Sequence, residues 1–151
     1  MSRMNAFQAV DQYARLGLRT DVETATPHRL ILLLLDGAVD KLRLARMAME
    51  QGRVADKGTN LSWAISIIDG LRASLDTDRG GELALNLDRL YDYMTRTLVT
   101  ANLDNDAAKV DEVTGLLGEI RAGWKGIERQ VDGTGQRPAV NEIGPNAVAT
   151  S

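Results

Sequence analysis

His28 is the only imidazole in 151 residues and there is no cysteine, so the chemistry open to this chain is narrow. A phosphotransfer histidine favours an exposed mid-helix position. His28 instead falls in a first helical turn beside Pro27, where a packing or solvent role is the better reading. A carboxylate-bridged di-iron site inside a helical bundle needs a Glu-x-x-His pair from each of two helices, and one histidine cannot supply both. Asp36, between Leu35 and Gly37, could be a buried acid. With Asp40 one turn on and Arg29, Lys41 and Arg43 nearby, a partly exposed, ion-paired face is favoured. Gly80-Gly81 follows a helical segment and lacks the lysine and spacing of a phosphate-binding loop, so it reads as a turn. Tyr91, Tyr93 and Met94 could cage a ligand, but such residues more often pack the shoulder between two helices. No catalytic residue, metal ligand or cofactor site is expected.

Composition bounds the class. A hydrophobic content of 44% with 26% charged residues is ordinary for one globular domain of this length. Absence of cysteine suits a reducing compartment, so a cytoplasmic location is expected. Leu30 to Leu35, the longest apolar run, is too short to span a bilayer, and the first twenty residues lack the apolar centre of a signal peptide. Neither membrane insertion nor nucleic-acid binding is expected, since a net charge of -3 offers no basic footprint.

Four segments with a helical period must position these side chains. The first opens at Thr26-Pro27, a cap followed by a proline at the first helical position, and runs to about Glu50 with Ile31, Leu34, Leu35, Ala38, Leu42 and Ala45 inward. Gly52 punctuates. The second, about Val54 to Leu75, turns Leu61, Ala64, Ile65, Ile68, Leu71 and Leu75 inward. The third, about Gly81 to Ala101, carries Leu83, Leu87, Leu90, Met94 and Leu98, and the fourth, about Asp106 to Gln130, carries Val110, Val113, Leu117, Ile120, Trp124 and Ile127. Short connections force neighbours to run antiparallel, which predicts an all-α, up-down four-helix bundle over 26–130. A mobile N-terminal segment with a short helical stretch, 1–22, and a disordered tail, 131–151, complete the expected organisation.

The second and third segments look too apolar for one core. Trp63 and Ile67 fall outside the main stripe, and surplus apolar surface usually marks an interaction site. Homodimerisation, or coverage by residues 1–22, would use the same surplus.

Motifs then point to a family. Thr24-Ala25-Thr26-Pro27-His28-Arg29-Leu30 leads to Leu35-Asp36-Gly37-Ala38. Lys57-Gly58, Ala64-Ile65, Ile67-Ile68-Asp69, Gly80-Gly81-Glu82-Leu83-Ala84, Asn86-Leu87 and Leu90-Tyr91-Asp92-Tyr93-Met94 follow in order. Ala101-Asn102, Glu112-Val113, Leu116-Leu117 and Ala122-Gly123-Trp124 complete a series over about residues 5 to 130 that resembles the flagellar chaperone family FliS. Thr26 replaces a common serine, and Trp63 occupies a position more often small or polar. The resemblance implies a non-enzymatic export chaperone that holds the C-terminal segment of flagellin in the cytoplasm and delivers it to the cytoplasmic domain of the flagellar type III export gate. It places flagellin contacts on Trp63, Ile67, Ile68, Leu71, Leu87, Tyr91 and Met94, and export-gate contacts on Val10 and Tyr13. A homo-oligomeric helical scaffold or regulatory protein is the alternative, and a weak homodimer is compatible with either.

Overall fold

Each helix begins or ends where the sequence supplies a group for its open backbone. The structure is a computed structural model that describes residues 26–134, with side chains described as far as residue 127. Its elements are α1 (Pro27–Glu50), α2 (Val54–Ala73), α3 (Thr77–Asp104) and α4 (Ala107–Thr134), and no strand occurs among the described residues. Thr26 caps α1 by accepting the Arg29 amide at 3.1 Å, as its side chain predicts. At the far end Gly52 adopts φ 69°, the Gly52 and Arg53 amides donate back to Met49 and Ala48, and the chain reverses into α2. Asp76 caps α3 through the Arg79 amide, and Asp106 caps α4 through the amides of Ala108 and Lys109.

Helix α3 departs from the expected boundaries. It starts at Thr77 and contains a kink at Gly81, whose φ 56° and ψ -135° interrupt the helical run. Its far end is closed by Asn105 in the left-handed conformation, with the Asp106 amide donating to Ala101. The α4 backbone stays helical to Thr134, past the expected end near Gln130. The remainder of the expected tail, residues 135–151, and the expected N-terminal segment, 1–22, lie outside the described residues.

Cross-links between helices fix the topology. Arg46 near the end of α1 meets Asp111 near the start of α4, while Trp124 near the end of α4 reaches the His28 carbonyl at the start of α1. Lys57 early in α2 bonds Asn102 late in α3, and Arg72 late in α2 meets Asp88 early in α3. The helices are therefore antiparallel, α1 packing on α2 and α4, and α3 on α2 and α4. The α1–α2 seam is the most extensive. Small buried residues, Ala38, Ala45 and Ala48 on α1 with Ala64 and Gly70 on α2, let the two axes approach.

The core contains Leu35, Leu42, Leu61, Ile68, Leu71, Met94, Leu98, Val110, Val113 and Leu117, all fully buried. Each buried aliphatic side chain of this size contributes roughly 1.5–3 kcal/mol through loss of apolar surface to water. Ile31, Ile65, Leu75, Leu90 and Trp124, expected inside, are only partly buried at its margin.

Candidate functional site

Seven side chains on α2 and α3 were expected to form a ligand-facing shoulder, and the bundle encloses six of them. Ile67, Ile68, Leu71, Leu87, Tyr91 and Met94 are all buried. The expected surplus is absorbed because α2 turns a broad apolar arc inward: Ile67 joins the same core cluster as Ile68 and Leu71. Trp63 alone keeps partial solvent access, and the Lys41 ammonium of α1 lies 5.5 Å from its ring centroid. That placement gives a cation–π contact across the α1–α2 seam. Val10 and Tyr13 lie outside the described residues.

The α2–α3 seam that carries most of these residues is fastened at both ends by cations of α2. Near its N-terminus Lys57 is buried, and its Nζ donates to the Asn102 carbonyl at 3.1 Å and to Asn105 Oδ1 at 3.2 Å. A cation there faces the open carbonyls that end α3, the favourable sign for the helix dipole. Near the other end Arg72 Nε donates to Asp88 Oδ1 at 2.6 Å, and Nη1 donates to Asp92 Oδ1 at 3.0 Å. Nη2 reaches Asp88 Oδ2 at 3.3 Å, which makes the Asp88 pairing bidentate. Asp92 also accepts from Arg96, extending the network along α3. The hydrogen bond that Arg72 donates to Asp88 is the main reason its guanidinium is held above its ordinary range. Tyr91, between the two aspartates, has its phenol pKa raised by burial.

Outside this seam, Asp36 is ion-paired and partly exposed as expected, but its partner is Arg121 of α4 and not a cation of α1. Asp40 does pair with Arg43 on its own helix. His28 is buried, and its ring stacks on Trp124 with centroids 4.8 Å apart and planes 8° from parallel, a packing role. Tyr93 is exposed and donates to Glu112 of α4 at 2.6 Å, so Tyr91, Tyr93 and Met94 form no common cage. Among the described residues no group of three His, Cys, Asp or Glu could hold a metal ion, and no helix is long and apolar enough to cross a membrane.

Among the described residues the large apolar side chains that do face solvent are Leu44, Met47, Val54, Leu85, Tyr93, Val99 and Leu103, with Val54 70% and Leu103 79% exposed. None of them is among the seven expected contacts, and of them only Tyr93 was considered in the sequence as a possible ligand-cage residue. Their signal was available: Leu85, Val99 and Leu103 are spaced 14 and 4 residues apart, which puts them along one line of α3 opposite Leu87, Met94 and Leu98.

Comparison with known proteins agrees with the motif series. The family described as "Flagellar protein FliS" matches residues 9–131. A flagellar secretion chaperone FliSB of Pseudomonas aeruginosa is 50% identical over 124 residues, covering 82% of this chain and 98% of that protein. The flagellar secretion chaperone FliS of Salmonella typhimurium is 50% identical over 125 residues, 82% of this chain and 93% of its own length. The corresponding Bacillus subtilis protein is 39% identical over 107 residues, 71% of this chain and 79% of its own. Motifs, helical architecture and these matches lead to one assignment: the chain belongs to the FliS family of flagellar secretion chaperones.

Proposed function

We propose that this protein is a non-enzymatic export chaperone that binds the C-terminal segment of flagellin in the cytoplasm, prevents its premature polymerisation, and delivers it to the flagellar type III export gate. The observation that carries this reading is the family match over almost the whole bundle. A client that is unfolded until it binds loses about 2–5 kcal/mol of interaction energy to ordering, which keeps a large interface releasable. Helix-in-groove recognition suits such a client, with apolar anchors giving affinity and rim charges giving orientation. Trp63 is the anchor within immediate reach. Ile67, Ile68, Leu71, Leu87, Tyr91 and Met94 contribute where the α2–α3 seam parts, and Val10 and Tyr13 serve the export gate.

Co-purification with flagellin carrying or lacking its C-terminal segment tests the proposal. Capture of the intact client and loss of capture on truncation are expected. Equal recovery of both forms, or a stable self-assembled oligomer indifferent to flagellin, would reject it in favour of the homo-oligomeric scaffold.

A further inference from the structure

Three residues proposed to touch the client are each followed in sequence by a member of one ionic network. Leu71 precedes Arg72, Leu87 precedes Asp88, and Tyr91 precedes Asp92. The apolar members are buried, while the charged members close over the seam, with an Arg72 side chain only 16% exposed that makes three contacts to two carboxylates. Bidentate, partly shielded and shared between two acids, this pairing belongs to the stronger class of ion pairs; the exposed Arg43–Asp40 pair does not.

We propose that Arg72, Asp88 and Asp92 form a clasp that keeps the α2–α3 seam shut in the empty chaperone, and that an amphipathic client segment gains Leu71, Leu87 and Tyr91 only when this clasp opens. The inference rests on the client-binding reading above and deepens it by naming the gate. With the clasp closed, as in this structure, the three apolar side chains are buried in the core; opening it is the step that would turn the same side chains into the lining of a cleft beside α3. Arg72 therefore acts as a positioning residue for the site. Lys57, at the opposite end of the same seam, bonds the last turn of α3 through the Asn102 carbonyl and the residue that ends it, Asn105, and touches none of the clasp residues. It holds the seam without gating it.

Two variants of the full chain separate gating from general loosening. Arg72→Met retains an apolar stem and removes the charge; Lys57→Met does the same at the other end. Hydrogen exchange without any client is expected to rise about tenfold for amides near Leu71 and Tyr91 in Arg72→Met, the loss of a strong charged hydrogen-bond set. Those amides are expected to be unchanged in Lys57→Met. Association with a synthetic flagellin C-terminal peptide, followed by stopped flow, is expected to quicken by a similar factor in Arg72→Met alone. Equal acceleration in both variants, or in neither, or slower association in Arg72→Met, overturns the clasp. Absence of peptide binding by the unaltered protein counts against the proposed client instead, and the exchange result then decides the clasp on its own.

Discussion

Three glycines of α4 offer a test in which one chemical change has opposite signs at different places. A Cβ built on Gly115, Gly118 or Gly126 meets nothing within 4 Å, and none of the three has a positive φ. Alanine there removes unfolded-chain freedom and adds no clash, a gain of roughly 0.4–1 kcal/mol at each position. Gly115 and Gly118 are one turn apart and Gly126 is about 12 Å further along the axis, so the effects should nearly add. The triple variant is then stabilised by about 1–3 kcal/mol, a rise in Tm of roughly 3–9 °C for a chain of this size. Gly81 has the same open space around its missing Cβ but sits at φ 56°, where an L side chain is strained. Gly81→Ala is therefore destabilising, by about 1–3 kcal/mol. Urea unfolding followed by circular dichroism reads both. A destabilised triple variant, or a Gly81→Ala protein as stable as its parent, contradicts the assignment of these effects to backbone conformation.

Two further outcomes follow from burial. Tyr91 has its phenol pKa raised from the ordinary value of 10.0 by desolvation, so the folded state resists its ionisation. The stabilisation from the neutral buried phenol is fully present below the unfolded value. It falls by about 1.4 kcal/mol per pH unit above roughly pH 10, and Tyr91→Phe should flatten that part of the stability profile in urea titrations. Ile67→Asp places a carboxylate in the core cluster, at a residue 2% exposed, so it should unfold the bundle outright, as near-ultraviolet circular dichroism would show. A folded Ile67→Asp protein would mean that α2 is rotated relative to this packing.

The parts of the fold governed by local chemistry were readable in the sequence. Thr26 before Pro27 and Gly52 after the first apolar run could each be assigned from side-chain type, because a cap or a reversal involves only its own turn, whereas Asp104, Asn105 and Asp106 were alternative caps for the fourth helix and the structure uses Asp106. Lys57 was readable too: it lies four residues before Leu61 and seven before Ala64, on the inward line of α2, and a lysine there needs acceptors from another element. What could not be read is the rotation of each helix about its axis. The apolar arc of α2 is wide enough for several rotations, and only contact with α1 and α3 decides that Ile67 goes in while Ile65 stays at the margin. The same limit applies to Asp36, whose partner Arg121 is 85 residues away in sequence. The kink at Gly81 was hidden because two adjacent glycines satisfy both a turn and a strained helix start.

The two tryptophans occupy unlike chemical company, Trp63 beneath a lysine ammonium and Trp124 stacked on an imidazole while its indole nitrogen donates to a carbonyl. Nature has thus installed two intrinsic fluorophores with distinct quenchers, one reporting on the first pair of helices and the other on the joint where the described chain enters the bundle. Separating their emission by single replacement gives an optical record of which part of the protein responds when another molecule arrives, with no dye attached.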